Sequence, residues 1–241
     1  MQRFNQEIEW VVWGKRGEVI MYDWIKDKKF LGMMHSMCAE IVNWLVQDIN
    51  KSGFMEVKQH LVGSGAKNLI LQNAHEPIDL DYNLEIIDCE DYEDCKRIKE
   101  LVMNTFNGFL PDEGWGHCKD STSAITTERI HFVGYEDIEF SIDVAITCKD
   151  TDGNWYRLVH KKASYYQNGS WVWEQAQKSK GLEKRVEILK NNSKYWNEVR
   201  NRYKEKKNMY LGRPDEKDNH PSFNVYIETI NEIYYNHFKG A

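Results

Sequence analysis

The sequence predicts an α+β protein, a mixed sheet flanked by helices and followed by a helical C-terminal lobe. Three observations predict it. Residues 78–86 and 139–147 alternate apolar and polar side chains with a period of two. Residues 33–50 repeat apolar side chains at helical spacing, and beyond about residue 162 the spacing stays helical. The expected division is therefore a sheet-bearing domain over residues 1–160, with an N-terminal helix, and a helical lobe over 161–241.

Taken in order, residues 10–30 are rich in aromatics and match no single period, with part of them expected to form a short helix. Residues 33–50 carry Met34, Met37, Cys38, Ile41, Leu45 and Ile49 on one face, an amphipathic helix that packs on a sheet. Residues 55–62 read as a strand running into Gly63, Ser64 and Gly65. In residues 78–86, Ile78, Leu80, Tyr82 and Leu84 take one face and Asp79, Asp81, Asn83 and Glu85 the other. Residues 91–106 predict a helix with acids in its first turn, where they favour the macrodipole. Residues 125–133 and 139–147 read as strands joined by a turn at 134–137, and in the second Phe140, Ile142, Val144 and Ile146 oppose Ser141, Asp143 and Ala145. Residues 154–160 suggest an edge strand. Helices are expected at 182–190, 194–208 and 223–238, with residues 212–220 breaking the last two.

A chain of 241 residues can bury a sizeable core, and its composition is that of a globular protein. No apolar run approaches the roughly 18 residues of a membrane span, and residues 1–10 are polar and acidic, unlike a signal peptide. Cytoplasmic residence is the expectation. Five irregularly spaced cysteines without a CxxC pair suit reduced thiols, and His117-Cys118 has no second pair to make a zinc site. The net charge of −6 conceals an asymmetry: residues 155–213 carry 15 Lys/Arg against 5 Asp/Glu, leaving −16 elsewhere. One part suits cations and the other polyanions, unless the basic stretch is simply a solvated helix face.

Acid-x-acid triplets are common in this chain, recurring at 7–9, 88–90, 91–93, 137–139 and 150–152. Asp79-Leu80-Asp81 differs because it lies within an alternating strand, so both carboxylates leave the same face about 7 Å apart. Their repulsion is costly unless a cation or solvent offsets it. Asp143 repeats the pattern between Ile142 and Val144. If the two strands are neighbours, three carboxylates converge as ligands for Mg²⁺ or Mn²⁺, the donor set of a two-metal site. The Val62-Gly63-Ser64-Gly65 turn lets backbone N–H groups approach phosphate, with the Ser64 hydroxyl and Lys67 as further contacts. Read alone, such a turn is usually structural.

Together, Val62-Gly63-Ser64, Ile78-Asp79-Leu80-Asp81-Tyr82 and Ile142-Asp143-Val144 resemble the signature of the DNA polymerase β-like nucleotidyltransferase superfamily, over about residues 33–160. Between Ser64 and Asp79 lie 14 residues, slightly more than the family's usual gap, as a small insertion would produce. The resemblance implies Mg-dependent transfer of a nucleoside monophosphate from an NTP such as ATP to an acceptor hydroxyl. It implies that Asp79 and Asp81 bind both metals, and that Asp143 binds the catalytic metal and helps deprotonate the acceptor. Residues 1–160 would then be the catalytic domain. The alternatives are a nucleotide-binding regulatory module of the same fold without turnover, and an Asp-x-Asp glycosyltransferase.

Many members of the superfamily append a helical domain that holds base, ribose or acceptor. Here the basic helix of 194–207 interleaves Tyr195, Trp196 and Tyr203 with cations, as a nucleic-acid contact does. The three-and-four spacing of Trp196, Val199 and Tyr203 instead favours a buried helix face. Lys161 and Lys162 are the better candidates for the triphosphate. A small molecule or nucleotide is favoured over RNA as acceptor.

Overall fold

The computed structural model describes residues 12–13, 19–73, 76–163, 168–176, 181–211 and 222–238. In chain order the elements are β1 (Val12–Trp13), β2 (Val19–Ile20), β3 (Tyr22–Trp24), α1 (Lys28–Ser52), β4 (Met55–Leu61), α2 (Gly63–Lys67), β5 (Leu71–Asn73) and β6 (Ile78–Cys89). There follow α3 (Cys95–Phe109), a 3₁₀ turn (Leu110–Glu113), β7 (Lys119–Asp120), β8 (Ile125–Thr126), β9 (Phe140–Lys149), β10 (Trp155–Lys161) and β11 (Ser170–Gln175). The last three are α4 (Leu182–Lys190), α5 (Ser193–Leu211) and α6 (Ser222–Phe238). The predicted α+β class holds. They divide into two units: β1–β3, β5 and α4–α6 belong to one, and α1 to β11 without β5 to the other.

The larger unit is built on a mixed sheet in the order β11-β10-β9-β6-β4, with β8 also on β9 and β7 on β8. Among the described strands of this sheet, only β6 and β9 run parallel. The remaining pairs are antiparallel. Ile78, Leu80, Leu84, Ile86, Phe140, Ile142, Val144 and Ile146 from one face are buried in a core with α1 and α3. Helix α1 supplies Phe30, Met34, Cys38, Ile41, Leu45 and Ile49 at the expected spacing. Asp27 caps it, its Oδ1 accepting from the N–H groups of Lys29 (2.8 Å) and Phe30 (2.9 Å). It ends at Gly53 with φ +75°, a left-handed stop that favours glycine. Helix α3 starts at Cys95 rather than 91. Asp94 is its N-cap, accepting from Arg97 N, and the other acids precede the helix.

Several expectations need correction. Residues 22–24 are a strand, not a helix, and α1 begins at Lys28. The strand expected over 125–133 ends at Thr126, because the Thr127 hydroxyl accepts from Ile142 N (2.9 Å) in place of a backbone carbonyl. It resumes only as a bridge at Ile130. The strand expected at the sheet edge, β10, is interior, since β11 pairs outside it. Ser170–Gln175 lies in the stretch read as helical, where Trp171, Val172 and Trp173 carry β-favouring composition. The expected break at 212–220 and the reading of residues 1–10 lie outside the described residues.

In the smaller unit β3 pairs with β5, and α4, α5 and α6 pack together. Val199 and Tyr203 of α5 are buried with Val225, Tyr226, Ile230 and Ile233 of α6. Trp196 is half-buried beneath Lys190. This helix face is therefore core. Three basic side chains of α5 are also paired within the unit, among them Lys204 with Asp23 (2.9 Å), and Lys206 with Glu232 (3.0 Å) and Glu228 (3.4 Å). Arg202 meets Glu205 and Glu232.

Candidate active site

Parallel pairing of β6 and β9 sets Asp81 directly opposite Asp143 and Asp79 opposite Ser141. Because each strand alternates, the apolar partners fill the core and these polar residues share the opposite face. The neighbourhood is electrostatically strained. Burial, then repulsion from Asp143 and Asp79, pushes the Asp81 carboxyl up to about 6, against the pull of Lys67 and Arg157. Burial also raises that of Asp143, a hydrogen bond from Thr126 lowers it, and the charge of Asp79 raises it further. Thr126 Oγ1 donates to Asp143 Oδ1 at 2.5 Å, and Ser141 Oγ donates to Asp79 Oδ1 at 2.6 Å.

The Gly63-Ser64 turn adjoins these acids. Val62 N donates to Asp81 O at 2.8 Å, which ties the end of β4 to the middle of the motif. Gly63 has φ +63°, and a Cβ there would stand 2.8 Å from Cγ of Asp81. Helix α2 then turns under Ser64, whose carbonyl accepts from Leu69 N at 3.0 Å. Lys67 Nζ donates to Gly63 O at 2.9 Å. The 14-residue gap before Asp79 holds α2 and β5, and β5 pairs with β3.

Lys161 and Lys162 lie at the end of β10, which pairs with β9. Lys161 forms an ion pair with Glu174 on β11 (3.0 Å), and Lys162 is exposed beyond the end of β10. Sequence reasoning missed Arg157, whose charge acts on Asp81, and Thr126. Nothing in the local sequence of either announces the role, which depends on strand pairing. Glu85 continues the acidic row on β6. Burial opposes its ionisation, but hydrogen bonds from Lys149 and His60 (both 2.7 Å) outweigh this and hold its carboxyl below the usual range. The alternation of residues 78–86 already marked Glu85 as sharing the face of Asp81.

The group can supply mutually repelling oxygen donors, Asp79 exposed and Asp81 and Asp143 half-buried, beside the Gly63-Ser64 turn. Among the described residues, no three His, Cys, Asp or Glu side chains stand close enough as placed to enclose a metal ion. The donor chemistry still fits a hard divalent cation: all three groups are carboxylates, and the Asp81 carboxyl is pushed up first by burial and then by the charges of Asp143 and Asp79, which such a cation offsets.

No protein-family model matches the sequence, and no curated protein matches it. Solved structures do. The chain is similar to CdnC of E. coli MS115-1 in a CdnC:HORMA-deltaN complex, at 15% identity and TM-score 0.53, over 88% of this chain and 61% of that one. It is similar to CdnC with ATP at 16% identity and TM-score 0.51, over 88% and 62%. The cyclic AMP-GMP synthase DncV of Vibrio cholerae, with linear intermediate 5′ pppA(3′,5′)pG, gives 11% identity and TM-score 0.52, over 74% and 47%. The chain thus spans about half to three-fifths of the length of these structures. At these identities the likeness is one of fold: the chain shares the fold of CdnC and DncV. No helix among the described residues is long and apolar enough to cross a membrane.

Proposed function

We propose that this chain is a nucleotidyltransferase that transfers a nucleoside monophosphate from an NTP to the hydroxyl of a second nucleotide. The observation that carries the reading is the register of β6 on β9, which sets Asp81 beside Asp143 with Gly63 packed on Asp81. Asp79, Asp81 and Asp143 would hold Mg²⁺ or Mn²⁺. When bound, such ions offset charge on the triphosphate and acidify the acceptor hydroxyl. Asp143 receives the proton of that hydroxyl at the carboxylate oxygen that Thr126 leaves unengaged. The acceptor oxygen forms a bond to the α-phosphorus as the α–β bridge breaks, and pyrophosphate leaves. The Gly63-Ser64 turn offers the backbone approach for the triphosphate, with Lys67 and Arg157 as the nearby positive charges. Lys161 and Lys162, at the end of β10, would be further contacts for the triphosphate.

A nucleotide acceptor is supported by the DncV structure, which contains a linear dinucleotide intermediate, and by the internal pairing of the α5 cations. The paired cations leave little for tracking an RNA strand. The deciding experiment incubates the protein with each labelled NTP, singly and in pairs, with Mg²⁺ or Mn²⁺, and analyses products by mass. Metal-dependent release of pyrophosphate with a dinucleotide product is expected. NTP binding without consumption would replace this reading by the regulatory module, and neither binding nor consumption would end both.

A further inference from the structure

Two carboxylates of the site are gripped by hydroxyls, and one grip runs back into a buried ionic cluster. Thr126, on β8, is the cross-strand partner of Asp143 and donates to its Oδ1 at 2.5 Å. A threonine hydroxyl has one proton. With that proton given to the carboxylate, its oxygen is left as an acceptor, so Ser121 Oγ, 3.1 Å away, is the donor of the next bond. Ser121 is itself fixed. Its N–H donates to Ala124 O (3.0 Å), closing the β7–β8 turn, and its carbonyl accepts from Lys99 Nζ (2.9 Å).

Lys99 rises from α3 and is 2% exposed. Its ammonium also stands 2.5 Å from Asp120 Oδ1, an ion pair that lacks hydrogen-bond alignment at that oxygen. The other Asp120 oxygen meets His160 Nδ1 at 2.5 Å. The hairpin that carries Thr126 is therefore pinned at its first strand by a cation from the core.

An aspartate on a strand can swing about two torsions, and a single bond to Oδ1 removes that freedom while leaving Oδ2 uncommitted. Ser141 does the same for Asp79 through its own Oδ1. We propose that Thr126, backed by Ser121, is a positioning residue that fixes the Asp143 carboxylate so that Oδ2 is kept for the divalent cation and the acceptor. This rests on the nucleotidyltransferase reading. A purely structural Thr126 would satisfy a buried carboxylate and affect folding alone.

The test compares Thr126→Val, Thr126→Ser and Ser121→Ala with wild type in the full chain. Mn²⁺ binding is followed by electron paramagnetic resonance without nucleotide, turnover with NTP pairs, and folding by urea midpoint. Thr126→Val should bind Mn²⁺ about 10–100-fold more weakly and lose kcat by a similar factor, with KM for NTP little changed. Thr126→Ser should restore both, and Ser121→Ala should fall between. Wild-type Mn²⁺ affinity and kcat in Thr126→Val overturn the proposal, as does an equal loss in Thr126→Ser. If Thr126→Val does not fold, Ser121→Ala decides by its Mn²⁺ affinity, and an unchanged value overturns the proposal. Wild type that binds Mn²⁺ but consumes no NTP defeats the transferase reading while the Mn²⁺ comparison still judges Thr126. Wild type that binds no Mn²⁺ defeats both.

Discussion

Gly63 and Asp81 compete for one volume: a Cβ on the glycine would stand 2.8 Å from Cγ of the aspartate, and the glycine already holds φ +63°. Any side chain at 63 must therefore move the carboxylate and accept a left-handed backbone, the latter at about 1–2 kcal/mol. Gly63→Ala should lower the urea midpoint modestly, and Gly63→Val should add loss of NTP binding. Ser64→Ala should weaken NTP binding by about 1.5–3 kcal/mol, the worth of a hydrogen bond to a charged group. Titration calorimetry showing wild-type NTP affinity in both Gly63→Val and Ser64→Ala would assign the turn a structural role only.

The carboxyl of Asp81 titrates near 6 in the folded chain, above the ordinary aspartate value, so the folded state binds the extra proton. Its contribution to stability is full below the unfolded value near 3.8 and is lost as pH rises through about 6. Relative to Asp81→Asn, metal-free wild type should thus lose stability between pH 4 and 6.5 by an amount of order 1–3 kcal/mol. Asp81→Asn should flatten that slope, raise metal-free stability at pH 7, and nearly abolish transfer. Urea melts in chelator across this range check the sign. A wild-type profile that rises relative to that of Asp81→Asn, or matches it, contradicts the sign.

Removing Lys99 should be far more damaging than removing a surface lysine. Lys99→Met leaves Asp120 with only His160, and breaking a buried pair from one side costs about 3–5 kcal/mol. The double variant Lys99→Met/Asp120→Asn should recover most of that loss. Equilibrium unfolding of the single and double variants measures it, and a single-variant loss under about 1 kcal/mol would mark the pair as dispensable.

RNA should not bind measurably near physiological salt, because Lys204 and Lys206 are held by Asp23, Glu228 and Glu232. Three to five phosphate contacts to a single strand would give a log–log salt slope of roughly −2 to −3.5. Filter binding across a salt series that finds such a slope would restore RNA as an acceptor. Charge reversal at Lys206 is a poor probe, since it sets a third carboxylate against two and should destabilise the unit.

Much of this was legible before the structure. The alternation of residues 78–86 and 139–147 marked Asp79, Asp81 and Asp143 as sharing a polar face, because a period of two depends only on local chain geometry. Helices α4 and α6 were read within a residue or so, as their apolar spacing is strong. Thr126 and Arg157 were not legible, since each acquires its neighbours through pairing across dozens of residues. The edge strand β11 was lost for another reason: six residues are too few to separate a strand period from flanking helical stretches. The ion pair of Lys161 with Glu174 on the next strand was likewise not legible, since it too depends on strand pairing.

The parallel pairing of β6 on β9 also has a consequence for the order of folding during synthesis. The antiparallel pair β4–β6 closes within residues 55–89, so Gly63, Asp79 and Asp81 come together from one short, contiguous stretch. Asp143 joins only after α3, β7 and β8 have left the ribosome, across a loop whose closure is entropically slower. On the proposed function, a nascent chain halted before residue 140 carries two of the three acids and should not turn over nucleotide. Full-length turnover should appear together with hydrogen-exchange protection of β9 in refolding, and activity that precedes this protection would contradict the order.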